Sequence, residues 1–125
     1  DPVAVKRAAH VIGECERVLA GKKFLDEGNV GEFGRLMFES HESSMNNFEN
    51  SCEELDFVVE KSKTIPGVMG ARLSGGGFGG SAVILVHPGN AETIGTAVAN
   101  AFKAEFGNDC EIYYVKAFSG AKVIK

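Results

Sequence analysis

The sequence is short of the residues that mark several large classes of protein. It has no tryptophan, three prolines and three cysteines in 125 residues. Cys15, Cys52 and Cys110 are odd in number, lie far apart and form no Cys-x-x-Cys pair. The sequence therefore predicts neither a disulfide framework nor a zinc knuckle. We expect reduced thiols and a cytoplasmic location, in one ordinary globular domain whose charged fraction of 24% argues against a disordered chain.

Long apolar runs and basic stripes are also missing. The longest wholly apolar stretch, residues 82–86, is far shorter than the ~20 residues of a membrane-crossing helix. The N-terminus has no charged-then-apolar leader pattern. The formal net charge is −4, and no basic stripe suited to nucleic acid is present. We expect neither a membrane nor a nucleic acid among the partners.

The first half of the chain has the apolar spacing of three helices. A helix that begins near Pro2 should end at Gly28 and Asn29. Asn29 with Glu32, and Ser51 with Glu54, have the spacing of capping boxes that open the second and third helices. The predicted inner faces are Val5, Ala8, Ile12, Cys15 and Leu19 in the first helix, Phe33, Leu36, Met37 and Phe48 in the second, and Leu55, Val58, Val59 and Ser62 in the third.

The second half of the chain changes to strands. Residues 68–73 and 82–86 read as two strands around a glycine loop, and residues 91–106 return to helical spacing before a cap at Gly107. The alternation in residues 111–118 predicts a final strand. The order predicts an α+β domain over 1–125 that resembles the ferredoxin-like fold, with a helical part, 1–65, packed on the small and mainly antiparallel sheet of 66–125.

The glycine loop is the segment most informative about function. Five of the six residues from Gly75 to Gly80 are glycine, which contributes no side chain to a core. Such a loop can offer amide groups to an anion or allow a close approach, although a hairpin turn remains the alternative. Gly75, Gly77 and Gly80 match G-x-G-x-x-G, but a strand follows where a dinucleotide fold needs a helix. A P-loop is excluded because no Lys-Ser or Lys-Thr follows.

The loop also carries a family resemblance. Residues 70–80, Gly-Ala-Arg-Leu-Ser-Gly-Gly-Gly-Phe-Gly-Gly, resemble the third motif of the GHMP small-molecule kinases in the form found in the galactokinase family. Further stretches resemble that family's C-terminal part in the same order: residues 10–19, 33–37, 40–41, 51–52 with 54–56, and 120–123. The sequence departs from that pattern at Glu53, where a proline is usual, and at Ser81, where a cysteine is usual.

The resemblance implies the C-terminal domain of an enzyme that phosphorylates the anomeric hydroxyl of galactose with ATP and Mg²⁺. The glycine loop would line a cleft shared with an N-terminal GHMP kinase domain. It implies nucleotide-binding residues in one run of the chain: Ser74, Gly75, Gly76, Gly77, Phe78, Gly79 and Gly80. Catalytic residues and metal ligands are expected in the N-terminal domain and none in this chain, so residues 1–125 alone should be inactive.

Other readings stay open from the sequence. The chain is alternatively a free-standing ferredoxin-like module that binds a small ligand, a domain of a kinase for N-acetylgalactosamine or arabinose, or a fragment that self-associates through an exposed apolar face. Arg72 is expected to pair with an acidic neighbour. His41, beside several serines, is expected at a polar helix surface or in an interdomain hydrogen bond rather than beside a nucleophile.

Overall fold

A computed structural model describes residues 1–124 and confirms the predicted α+β class. Two of the four described α-helices pack against a two-stranded antiparallel sheet, and the other two pack mainly on those helices. Within residues 1–124, no helix combines the length and hydropathy that a bilayer crossing requires. The elements are helix α1 (Pro2–Asp26), α2 (Val30–Ser43), a π-helical turn (Ser44–Phe48), α3 (Glu53–Lys63), β1 (Val68–Ser74), β2 (Ser81–Val86), a 3-10 turn (Pro88–Asn90) and α4 (Ala91–Phe106).

One predicted capping residue is confirmed and one is wrong. The Asn29 side chain accepts a hydrogen bond from the Glu32 amide at the start of α2. Helix α3 begins at Glu53 after Cys52, without any side-chain cap. Ser51 does not cap α3, because its hydroxyl donates to the Asp56 carboxylate at 2.5 Å. Helix α4 ends at Gly107, which has a left-handed conformation and is the cap that the sequence predicts.

The sheet is a hairpin whose inner face meets α2 and α3. Its register runs from Val68 opposite Val86 to Ser74 opposite Ser81, with one irregularity between Val68 and Gly70. Burial of apolar side chains from both layers provides the main stabilisation. The core residues are Leu36, Met37, Leu55, Val59, Ala71, Leu73, Ile94, Val98 and Phe102. Leu36, Met37, Leu55 and Val59 confirm part of the predicted helix faces, whereas Phe48 is 38% exposed.

Helix α2 crosses strand β1 with backbone against backbone. A Cβ at Gly34 would overlap the carbonyl group of Met69, and a Cβ at Gly70 would lie 2.5 Å from the Cα of Gly34. Only glycine at both positions allows this approach. The contact sets the depth at which α2 lies on the sheet, and with it the position of every side chain that α2 directs toward β1.

The predicted final strand is wrong. Residues 111–118 have no strand pairing, and β2 is hydrogen-bonded to β1 alone among the described residues. The segment instead passes over α4, where a Cβ on Gly95 would lie 2.5 Å from the hydroxyl of Tyr114. Alternating residues favour a strand only when another strand supplies partners for the backbone amides and carbonyls. No described segment lies beside residues 111–118 in that role.

The predicted inner face of α1 is also wrong, because that face points to solvent. Val5, Ile12 and Leu19 are 67%, 60% and 72% exposed. The opposite, more polar face lies on α2, where the His10 ring bonds Ser43 at 3.0 Å and the Glu14 carboxylate accepts from Ser40 at 2.7 Å. Both serines are buried and need hydrogen-bond partners, which an apolar α1 face cannot supply.

Candidate functional site

The glycine loop joins β1 to β2 in a conformation that few residues other than glycine adopt. Gly75, Gly77 and Gly79 have φ angles of 78°, 83° and 100°. Phe78 joins them at φ 56°, which is unusual for a bulky side chain. Neighbouring residues that alternate between right- and left-handed conformations turn backbone amides toward a common side in many anion-binding loops. The sequence prediction that this loop needs bare backbone is consistent with these angles.

Asn50 holds the loop in place. Its backbone carbonyl accepts a hydrogen bond from the Phe78 amide at 2.7 Å, and its side-chain amide donates to the Gly76 carbonyl at 3.2 Å. Asn50 is only 7% exposed, and its Oδ1 atom is buried without a hydrogen-bond partner among the described residues. A Cβ on Gly77 would overlap the Asn50 carbonyl oxygen. The hydrogen bonds of Asn50 to the loop therefore require glycine at position 77.

The outer surface of the loop is open. A Cβ built on Gly75, Gly76 or Gly79 would meet no atom within 4 Å. The ring of Phe78 is 76% exposed and stands beside this bare backbone. Glycine is therefore not needed for internal packing at these three positions, in contrast to Gly77. Open backbone of this kind lets a ligand come closer than any Cβ would permit.

A groove of about 850 Å³ lies beside the loop, between β2, α4 and the C-terminal segment. Phe78, Gly79 and Gly80 are among the residues that line it. Its walls are mostly apolar, with Ile84, Val98, Phe102 and Ile112 among the lining residues. Apolar walls do not repay the cost of dehydrating a phosphate. The open backbone of the loop is therefore the better place for an anionic group, and the groove suits apolar matter.

His41 is buried where α2 meets α3 and β1, so the expectation of a surface or interdomain histidine is wrong. The side chain is 2% exposed. Its Nδ1 atom accepts from the Leu73 amide at 3.1 Å, and its Nε2 atom lies 3.0 Å from the Asp56 carboxylate. The first bond requires an unprotonated Nδ1, so Nε2 donates to Asp56. Burial lowers the pKa of His41 below its ordinary value, although the Asp56 carboxylate acts against this.

This arrangement positions residues and does not activate a nucleophile. The Ser51 hydroxyl and the His41 ring both donate to the same oxygen of Asp56. A serine nucleophile would instead donate to the histidine. Leu73 immediately precedes Ser74, the first residue of the predicted nucleotide-binding run. His41 therefore ties the entrance of the loop to both α2 and α3.

The expected ion pair of Arg72 is present. Arg72 lies 3.9 Å from the Glu14 carboxylate, which also bonds Ser40 at 2.7 Å and Arg17 at 2.6 Å. Burial raises the pKa of Glu14, but the hydrogen bonds from Ser40 and Arg17 outweigh it and hold that pKa below its ordinary value. Arg72 thus links β1 to α1, and its role in this structure is structural.

Sequence reasoning found the loop but missed both residues that hold it. Asn50 and His41 lie 26 or more residues before the residues of the loop and of β1 that they bond. No local pattern signals either contact. Among residues 1–124, no three His, Cys, Asp or Glu side chains converge as metal ligands would. We assign no metal ligand within this part of the chain.

Comparison with a family model gives the first relationship. Residues 22–104 match the model described as "GHMP kinases C terminal". This match covers all of α2, α3, both strands and most of α4, and it includes the glycine loop.

Individual relatives agree with it. The chain is 41% identical over 98% of its length to a galactokinase of Thermotoga neapolitana, and 44% identical over 92% to one of Thermococcus kodakarensis. It spans about a third of the length of these relatives.

The solved structures that match this chain also include a galactokinase. The crystal structure of Lactococcus lactis galactokinase complexed with galactose matches with a TM-score of 0.83 and 35% identity, over 87% of this chain and 28% of that one. The mevalonate kinase of L. major in complex with R-mevalonate matches more distantly, with a TM-score of 0.64 and 26% identity, over 84% of this chain and 30% of that one.

Proposed function

Because this chain belongs to the GHMP kinase C-terminal family, we propose that it is the C-terminal domain of a galactokinase. The whole enzyme would transfer a phosphoryl group from ATP to the anomeric hydroxyl of galactose and give galactose 1-phosphate. The observation that carries this proposal is the extent of the similarity. Identity of about 40% to galactokinases runs through 98% of the chain, so both halves of the domain take part.

The proposed task of this domain is to supply one wall of the cleft, with the residues from Ser74 to Gly80 facing the nucleotide. Three features support this: the bare outer backbone at Gly75, Gly76 and Gly79, the left-handed angles, and the exposed Phe78 ring beside them. Phosphoryl transfer depends mainly on positioning and on stabilising charge. Amides of the loop and the Ser74 hydroxyl can donate to phosphate oxygens.

His41 and Asn50 have a positioning role in this proposal. His41 fixes Leu73 at the start of the loop, and Asn50 fixes Gly76 and Phe78 at its tip. Preorganised donors reduce the reorganisation needed when charge develops during the reaction. The loop is thus held at its start and at its tip by residues outside the proposed nucleotide-binding run.

Magnesium and the catalytic groups are assigned to the remaining part of the longer protein. Residues 1–124 bring together no group of three or more His, Cys, Asp or Glu side chains that could hold a metal ion. No step of the proposed reaction is assigned to Mg²⁺ bound by this chain. Residues 1–125 alone should therefore not phosphorylate galactose.

The first experiment measures the size and activity of the native polypeptide. An antibody against residues 1–125 should detect a band about three times this length in lysate of the source cell, because the relatives have that length. The purified long protein should then convert galactose and ATP to galactose 1-phosphate. A native band at 13.3 kDa would overturn the proposal and favour a free-standing ligand-binding module. N-acetylgalactosamine and arabinose, tested in parallel, would identify a kinase for a related sugar.

Variants of the loop test its assignment to the nucleotide. In the long protein, Ser74→Ala and Phe78→Ala should raise the KM for ATP several-fold and leave the KM for galactose nearly unchanged. Thr96→Ala, on the exposed side of α4, is the matched control and should change neither constant. Loop variants that affect galactose alone, or neither substrate, would remove the loop from the nucleotide site.

A further inference from the structure

Helix α1 presents an apolar surface that nothing in the described structure covers. We call it the outer stripe of α1, formed by Val5, Ala8, Ile12, Cys15 and Leu19. These residues recur every three or four positions and extend for ~21 Å along the helix. Val11 and Val18 lie beside them and are 52% and 69% exposed. The stripe is regular in spacing and opposite to the face that packs on α2.

The arrangement of these exposed residues in one stripe favours a partner. Scattered exposed apolar side chains are ordinary in soluble proteins, but a continuous patch marks an interaction surface. Three residues of the stripe, Val5, Ile12 and Leu19, and the neighbouring Val11 and Val18 are each more than half exposed. They present roughly 300 Å² of apolar surface, taking ~60–120 Å² for a whole side chain of this kind.

An area of this size favours a partner in the same polypeptide over a separate protein. Stable complexes between separate chains bury about 800 Å² on each partner, well above what the stripe supplies. A contact between domains of one chain is helped by the covalent connection, which acts as a high effective concentration. A second copy of this domain would accordingly be held only weakly through the stripe.

The relatives contain enough additional chain to form such a partner. This chain covers 35% of the Thermotoga neapolitana galactokinase and 28% of the Lactococcus lactis chain. Roughly two-thirds of each relative therefore lies outside the matched region, which is more than a whole domain of common size. The similarity to the first relative covers 98% of this chain, so the stripe lies within the shared region.

We propose that the outer stripe of α1 is the surface on which the remainder of the longer protein docks. The proposal rests on the proposed function, which makes residues 1–125 one part of a longer kinase. It assigns an interdomain role to the face opposite His10 and Glu14, separate from the glycine loop. The apolar spacing of α1 thereby has a use that packing on α2 does not provide.

Cys15 provides a direct probe, because it lies within the stripe and is exposed in the structure of residues 1–124. The experiment labels the native long protein with iodoacetamide and follows the Cys15 peptide by mass spectrometry. We expect labelling at least ~10-fold slower than in the same protein unfolded in urea, at every protein concentration. Labelling of Cys15 at the unfolded rate would overturn the proposal. Protection that grows with protein concentration would assign the stripe to a second copy and also overturn it.

A pair of variants separates docking from general loss of structure. Leu19→Glu in the long protein should speed the labelling of Cys15 several-fold, because the charge opposes docking of the stripe. Val3→Glu is the matched control, since Val3 is exposed on the same helix but outside the stripe. It should leave the labelling rate unchanged, and equal rates in both variants would contradict the assignment. Assay of galactose phosphorylation on the unlabelled protein distinguishes failure of the two proposals. A protected Cys15 in a protein without this activity would reject the proposed kinase function and leave the docking proposal intact. Activity in a protein whose Cys15 is freely labelled would reject the docking proposal and leave the kinase function intact.

Discussion

Two glycines of the same loop allow the effect of a close contact to be measured separately from that of backbone strain. Gly75 and Gly77 have nearly equal φ angles, 78° and 83°. An added Cβ at Gly75 meets open space, whereas one at Gly77 overlaps the Asn50 carbonyl oxygen. Alanine at either site therefore has the same unfavourable backbone conformation, and the overlap is particular to position 77.

The expected free energies of unfolding follow from these contacts. A left-handed alanine costs ~1–2 kcal/mol, partly offset by ~0.4–1 kcal/mol from the stiffer unfolded chain. Gly75→Ala should therefore destabilise the domain by about 1 kcal/mol. Gly77→Ala must also separate Asn50 from the loop, which breaks its hydrogen bonds to Phe78 and Gly76. At ~1 kcal/mol for each bond, its total loss should be about 3 kcal/mol.

Urea unfolding followed by circular dichroism gives both values by linear extrapolation. The slopes should agree between variants, so that the midpoints alone report stability. Equal destabilisation by the two alanines would refute the reasoning, because it would mean that Asn50 does not hold the loop. Asn50→Ala supplies a check from the other partner: it should remove the bond to Gly76 and cost about 1 kcal/mol.

Two further predictions concern the contacts of α2 with β1. Gly34→Ala should lower the free energy of unfolding by ~1–3 kcal/mol, because the added Cβ would overlap the Met69 carbonyl. Gly31→Ala, on the same helix, is the control: its Cβ meets open space, so it should be neutral or stabilising by up to ~1 kcal/mol. Urea unfolding measures both values. Burial lowers the pKa of His41, so the unfolded chain, whose histidine has a pKa of about 6.5, binds the proton more readily. Stability should therefore fall as the pH decreases through about 6.5 and below. The same urea titrations with His41→Gln should show a smaller loss over that range, and an equal loss in both proteins would assign the pH dependence to other groups.

The elements that the sequence predicts correctly are those specified by neighbouring residues. Asn29 opens α2 through its own side chain, and Gly107 closes α4 through its own backbone angle. The hairpin is likewise predictable, because two apolar runs flank a segment that no regular element accepts. The resemblance carried by residues 70–80 identified the family, which the family model confirms. The assignment of those residues to a nucleotide remains a proposal.

The predictions that failed depend on partners distant in the chain. The spacing of Val5, Ile12 and Leu19 correctly marks an apolar face, but spacing cannot tell which element covers that face. Residues 111–118 alternate as a strand does, yet pairing requires a second strand in the right place. His41 was misplaced because its acceptor and donor, Asp56 and the Leu73 amide, come together only after α3 and β1 have packed on α2.

Because the Leu73 amide donates to His41, the exchange rate of its proton should also report the global unfolding of the domain. Most strand amides exchange their protons with solvent when the neighbouring strand separates. The Leu73 amide is held by a side chain of α2, buried where helix and sheet meet. Its proton should therefore exchange with deuterium only when α2 leaves the sheet, at a rate set by global unfolding. Amides of the open glycine loop should exchange orders of magnitude faster, so a single exchange spectrum would distinguish local motion of the loop from unfolding of its support.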